Sequence, residues 1–374
     1  MVQDGHKTVG ILSMQRVANY GSFLQAWALR GILTELGAGV SFIDIEAGHP
    51  MPGQRSGIVA AYFARLCELT GAAVTGRLGA KLRDRKYHRA MRARFRDEYY
   101  AMLGLDAPAP ERYDLAVIGS DMVFDCMQAA PWGFTPQLYG DIPEADSVIS
   151  YAASFGSSTL EGILRAGVVD EIAENLCQLT AVSVRDDNSH DIVRQLTGRD
   201  ALKHLDPVLV YDFATEMRGC DTRESDYIVV YAYPGRIRNK AEIEAITGYA
   251  RRSGKRLVSI LAAYDWCDEA VTPTTPFDVL AWFRDADCVV TDTFHGTIFS
   301  VINHKRFCTL VRSSNTEKLT SLLGWLSLEG QRAATPNDIE GVLSATPDYA
   351  PTDAIIENEK IRTREYLATA LKSI

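Results

Sequence analysis

Cys288-Val289-Val290-Thr291-Asp292-Thr293-Phe294-His295-Gly296-Thr297-Ile298-Phe299-Ser300 is the stretch on which the reading of this chain turns. Its apolar start has the character of a buried strand, and residues 297–304 have that of a helix, which puts His295 and Gly296 in the turn between them. An open α/β sheet presents its ligand-binding groups at that edge, outside the carboxyl ends of the strands. A histidine placed there can exchange a proton near neutral pH. The unpaired N–H groups of a helix start, here Gly296 and Thr297, can hold an anion. The competing reading of His295 is a structural turn residue.

Working outward, strand and helix patterns alternate, which favours mostly parallel sheets covered by helices. Strands are expected at 8–14, 40–45, 115–119, 147–154 and 181–185, with helices at 21–36 and 188–196. After Leu205-Asp206-Pro207 the alternation restarts: strands at 227–233, 256–262, 288–290 and 307–311, helices at 240–252, 277–287 and 319–325. The expectation is an α/β chain of two Rossmann-like domains, 1–205 and 206–350, facing across a cleft. A last helix, 354–371, runs back over one of them. Residues 58–103 break the alternation with an almost wholly helical stretch, densely basic over 77–96. Lys81, Arg85, Arg89 and Arg92 recur at helical spacing and share one face. That stretch reads either as a solvated helix or as a dock for an anionic membrane or a diphosphate-bearing substrate.

With 374 residues, two domains are the natural division. A hydrophobic content of 47% and a charged content of 23% are those of an ordinary globular enzyme. The net charge of −9 argues against a general nucleic-acid binder, whose affinity rests on neutralising phosphates. Seven dispersed cysteines, with no CxxC pair and no histidine at zinc-like spacing, predict reduced thiols and no metal site. The opening residues hold too short an apolar run for a signal peptide, and no segment approaches a membrane span. A cytoplasmic protein is expected, with contact to the inner face of the membrane through the basic helix as an open question.

Further groups fall at predicted strand ends. Asn19, Tyr20 and Gly21 lie between the first strand and its helix, where Gly21 would let a ligand approach the backbone and Asn19 could cap the helix. The spacing is not that of a dinucleotide fingerprint. Ser120 and Asp121 follow Ile118-Gly119, with Asp125 four residues on, and these carboxylates can take or bond a hydroxyl proton. Arg185 ends another strand and suits a phosphate or carboxylate, or else an ion pair with Asp186 or Asp187. Lys318 opens a helix and adds a cation. Cations, a histidine and helix starts, with aspartates nearby and no serine or cysteine nucleophile paired to a base, suit transfer from a phosphorylated donor to a hydroxyl.

The runs NYGSFLQAWAL, IGSDMVFD, YAASFG, SVRDDNS, LDPVLV, YIVVYAY and above all VVTDTFHGTIFS resemble the polysaccharide pyruvyl transferase family, in order and spacing, over about residues 9–325. The resemblance implies a glycosyltransferase-B-like fold and a reaction in which the pyruvyl group of phosphoenolpyruvate becomes a ketal on two sugar hydroxyls. No cofactor besides that donor is implied. The acceptor would be a glycan or its lipid-linked oligosaccharide precursor. By position, His295 becomes the acid or phosphate contact and Arg185 the donor-anion ligand; the base stays open between Asp121, taken as the catalytic candidate, and Asp125. Arg185, Gly296, Thr297 and Lys318 fall on the donor side, and Asn19, Tyr20, Gly21, Ser120 and Asp125 on the acceptor side. Thr293 stands where some relatives carry arginine, which shifts weight to Lys318. Met122, Phe124 and Asp125 replace a family Gln, Trp and Asn, altering the acceptor pocket. Asp292 is a further candidate base. The rivals are a nucleotide-sugar glycosyltransferase of the same architecture and a noncatalytic glycan- or anion-binding relative.

Overall fold

The computed structural model describes residues 7–51, 78–128, 130–222, 224–312 and 315–374. The predicted helical residues 58–77 and Cys67 lie outside the described residues. The first domain is built on β1 (Thr8–Leu12), β2 (Gly39–Ile43), β3 (Tyr113–Ile118) and β4 (Ala145–Ser150), in the order β2-β1-β3-β4 and all parallel. Isolated bridges, Ile149 to Ala181 and Ala153 to Val184, lead from β4 to the short parallel pair β5 (Ser183–Val184) and β6 (Leu202–Lys203). Buried runs such as Leu115-Ala116-Val117-Ile118 suit strands covered on both faces.

The covering helices are α1 (Tyr20–Glu35), α2 (Leu78–Arg94), α3 (Leu160–Ala166), α4 (Val169–Gln178) and α5 (Asp187–Thr197). The second domain repeats the plan. β7 (Tyr227–Tyr231), β8 (Arg256–Ile260), β9 (Glu269–Ala270), β10 (Cys288–Thr291), β11 (Arg306–Leu310) and β12 (Arg332–Ala333) form a parallel sheet ordered β12-β11-β10-β7-β8-β9. A short helix, α6 (Pro207–Val210), makes the join between domains. α7 (Lys240–Ser253), α8 (Asp278–Asp285), α9 (Phe294–Ile302), α10 (Thr316–Trp325) and α11 (Asp338–Ser344) accompany the second sheet, and α12 (Ala350–Lys372) ends the chain.

Strand order reverses between β1 and β3 in one sheet and between β7 and β10 in the other, and such switch points open a crevice at the carboxyl ends. The Ser120-Asp121 turn and the His295 turn follow β3 and β10, so each lies at its domain's switch point. The two crevices face one another: Asn19, after β1, donates from Nδ2 to the Tyr233 hydroxyl, after β7, at 2.9 Å.

Two helices tie the domains together. α12 starts on the second domain, where Thr352 donates to the Leu326 carbonyl, and ends on the first, where Tyr366 donates to the Ser150 carbonyl. It therefore spans both. The basic helix α2, continued by a π-turn over Phe95–Tyr99, is a clasp over its described length. Tyr87 donates to the Val271 carbonyl and accepts from the Leu261 N–H, and Arg94 and Tyr99 donate to the Pro273 carbonyl. An aromatic contact of Phe277 with Trp27, 4.9 Å between ring centroids, reinforces the join; such pairs contribute about 1 kcal/mol beyond burial. Arg89 and Arg92, further along α2, are exposed. No helix among the described residues is long and apolar enough to cross a membrane.

Candidate active site

The helix carrying His295 starts three residues earlier than its sequence pattern suggests. Thr293 is the N-cap, its hydroxyl accepting from the Gly296 N–H at 2.9 Å, so His295 and Gly296 occupy the first turn of α9. That geometry corrects two expectations. The Gly296 N–H is already satisfied, and a Cβ there would sit 2.1 Å from Thr291 Oγ1, so Gly296 serves close packing. Thr297 is fully buried, its hydroxyl donating to the Thr293 carbonyl and meeting Thr309 Oγ1. It braces the turn and does not reach the cleft.

His295 itself crosses the domain boundary. Its ring lies against the first turn of α1 so closely that a Cβ on Gly21 would fall 2.2 Å from its Cγ. Its Nε2 is 3.7 Å from Asp206 Oδ2, too long for a hydrogen bond, and has no hydrogen-bond partner among the described residues. The same Asp206 oxygen accepts from Arg185 Nη1 at 3.1 Å and from Ser120 Oγ at 2.8 Å. Histidine of one domain and arginine of the other therefore meet at one carboxylate.

Arg185 pairs with Asp206 and, at 3.7 Å, with Asp121; neither Asp186 nor Asp187 is its partner. Asp186 caps α5 through the Ser189 N–H, and Asp187 pairs with Lys203. The Arg185 side chain is 1% exposed, lies over the Phe294 ring at 4.1 Å, and leaves its Nε without a partner among the described residues. Burial pushes the carboxyls of Asp206 and Asp121 up, but the charges of His295 and Arg185, with hydroxyl donors from Ser120 and Ser22, hold both below the ordinary range. Asp121 also sits at a φ of 86°, the left-handed region that an aspartate adopts at a cost. There it accepts from Ser22 Oγ at 2.6 Å and from the Met122 N–H.

Lys318, at the start of α10, is half-buried, with Nζ 3.7 Å from the Met122 sulfur. It has no carboxylate partner among the described residues. Burial and the neighbouring Arg185 charge lower its pKa against the pull of Asp121 and Asp125. An anion placed there would relieve both effects. Arg236, which reaches Asp292 at 2.9 Å, adds charge nearby.

The remaining candidates separate. Asn19 caps α1 and joins the domains through Tyr233. Tyr20 is fully buried, tilted against Phe95, and belongs to the core. Asp125 is enclosed by the Ser158 hydroxyl and the Ser157 and Met127 N–H groups, and burial raises its pKa in spite of them. Asp292 is buried beneath Arg236 and Arg312, a partner of cations more than a base open to a hydroxyl. Sequence reasoning passed over Asp206, read only as a hinge, and Ser22 and Tyr233. The signal for Asp206 was an aspartate fixed before a proline at a domain boundary. Among the described residues no group of three or more His, Cys, Asp and Glu side chains is placed to hold a metal.

Known structures resembling the chain include the α,α-trehalose-phosphate synthase (UDP-forming) of Burkholderia xenovorans, at 11% identity and TM-score 0.49 over 99% of this chain and 98% of that one. UGT89C1 of Arabidopsis thaliana, solved with UDP, is 10% identical, with TM-score 0.47 over 98% and 99%. No curated protein sequence matches the chain. The model of one family, described as polysaccharide pyruvyl transferase, matches residues 19–314, a span that takes in His295, Arg185, Asp121 and Asp206. The chain belongs to the polysaccharide pyruvyl transferase family.

Proposed function

We propose that the protein moves the pyruvyl group of phosphoenolpyruvate onto two hydroxyls of one sugar as a cyclic ketal, releasing phosphate. The observation that carries this reading is the meeting of His295 and Arg185, from opposite domains, on one oxygen of Asp206, with Lys318 beside Arg185 and, among the described residues, without a carboxylate of its own. In that cluster Lys318 is the cation placed to meet a small anion. The cluster also holds one group, His295, suited to moving a proton.

In the proposed sequence His295 delivers a proton to the methylene carbon of the donor, leaving C2 electrophilic and stabilised by its ester oxygen. A sugar hydroxyl adds to C2 and gives up its proton to Asp121, which its surroundings hold ionised. The C2–O bond to phosphate then breaks, the phosphate carrying away its electron pair. The second hydroxyl closes the ring at C2 and passes its proton to the departed phosphate. General acid help of this kind contributes about 10² to 10⁴ in rate, and clamping the donor's phosphate and carboxylate between Lys318 and Arg185 would add orientation. The family supplies the expectation of a glycan acceptor; a lipid-linked precursor is part of the proposal.

The test is incubation with phosphoenolpyruvate and a panel of glycans, following ketal formation by mass and phosphate release by colorimetry. Phosphate release coupled to a mass gain on one acceptor supports the reading. Donor binding absent from calorimetry contradicts it.

A further inference from the structure

A cavity of 550 Å³ opens beside the Tyr233-Pro234-Gly235 turn, where α2 of the first domain meets the loops after β7 and β8 of the second. It is a built feature of the domain join. Its floor includes Tyr264, whose hydroxyl donates to the Tyr233 carbonyl at 2.6 Å, so one turn forms a wall of both this cavity and the candidate active site. Trp266 stands 5.1 Å from Tyr264, centroid to centroid. Three cations line the cavity: Lys81 and Arg85, one turn apart on α2, and Arg238 from the loop after β7. No carboxylate pairs with Arg85 or Arg238 among the described residues. Of the two acidic lining residues, Asp84 is engaged by the Ala263 N–H at 2.9 Å and Asp265 is exposed.

Helix α2 is thus more than a clasp. It carries two cations, Lys81 and Arg85, to a half-open cavity that Arg238 also lines, and guanidinium groups suit a ligand with several anionic oxygens. We propose that this cavity binds a diphosphate, the one that links an acceptor sugar to its carrier, and so sets the sugar against the His295 cleft. The proposal rests on the pyruvyl-transfer reading for the identity of the sugar but not for the binding of the diphosphate. A nucleoside diphosphate presents the same chemistry with a base to stack on Trp266, and the test distinguishes the two.

The experiment is calorimetric titration of the full chain with inorganic pyrophosphate, repeated on Arg85→Ala, Arg238→Ala and the double variant, with thermal unfolding to confirm the fold. Each charge-assisted contact removed is expected to weaken binding about tenfold, and the double variant to bind no pyrophosphate measurably. A parallel titration with UDP serves the second source. UDP binding no tighter than pyrophosphate, and indifferent to Trp266→Ala, supports the acceptor assignment. UDP binding tenfold tighter, with the gain lost in Trp266→Ala, overturns it in favour of a nucleotide. Pyrophosphate affinity unchanged in folded double variant overturns the site altogether. Absence of pyruvyl transfer alongside arginine-dependent pyrophosphate binding would refute the proposed reaction and leave the site standing. Where transfer is observed, the double variant should raise KM for a diphosphate-linked acceptor about tenfold or more and leave KM for phosphoenolpyruvate unchanged.

Discussion

Gly21→Ala is the sharpest perturbation the domain join offers, because the residue that would suffer lies in the other domain. The added methyl would sit 2.2 Å from His295 Cγ, 2.3 Å from Nδ1 and 2.7 Å from Cβ. Ordinary carbon contacts lie near 3.5 Å, so the imidazole must retreat by about 1 Å. Overpacking of this kind costs about 1–3 kcal/mol. Alanine's better helix propensity in α1 returns about 1 kcal/mol, leaving a net loss of about 0–2 kcal/mol. The rate should suffer far more, since a 1 Å misplacement at a reacting group costs about 100-fold. Urea unfolding measures the first quantity and phosphoenolpyruvate-dependent phosphate release the second. Gly341→Ala is the control: the site is exposed, a Cβ there meets nothing within 4 Å, and the variant should keep full activity. Wild-type kcat in Gly21→Ala would show that the His295 ring is not where the reaction needs it.

Other expectations follow from the same geometry. Asp206→Asn removes the carboxylate that Arg185 faces in a dry site, and should cost about 3–5 kcal/mol in urea unfolding; a loss under 1 kcal/mol would mean the pair is solvated. His204, 2% exposed and bonded through Nδ1 to Ser183, has its pKa lowered by burial and the Arg362 charge to about 4. The unfolded chain then takes up a proton near pH 6.5 that the folded protein refuses, so stability is full above that pH. It should fall by up to about 3 kcal/mol as pH drops toward 4, and His204→Asn should flatten the pH profile of unfolding in that window. Asp121 and Asp206, depressed in the fold, add their own loss only below about pH 4, as they take up protons. Tyr87→Phe deletes the two hydrogen bonds that this residue adds to the clasp and should destabilise by about 1–3 kcal/mol, read as a lower urea midpoint.

Periodicity was enough to place most strands and both switch-point turns, because buried parallel strands are short apolar runs and their turns carry Gly, Ser and Asp. The boundary of α9 was misjudged because Phe294 and His295 look like turn residues until the Thr293 cap is seen. The roles of Gly296 and Thr297 were illegible for a related reason: whether an N–H or hydroxyl is free depends on neighbours such as Thr291 and Thr309, which sequence spacing does not reveal. Arg185 was found, but its partners were not, since Asp206 and Asp121 lie 21 and 64 residues away along the chain. Contacts of that range are properties of topology. The basic face of α2 could be read in the sequence as charge, whereas its partners Leu261, Val271 and Pro273 came only with the fold.

The account depends most on proton delivery by His295 to the donor's methylene carbon. Transfer in D₂O, with the product methyl group analysed by mass, tests that step directly. The account predicts one solvent deuterium in the ketal methyl of the wild-type product, and no ketal from folded His295→Ala protein. A methyl free of deuterium, or undiminished turnover in the variant, would contradict it.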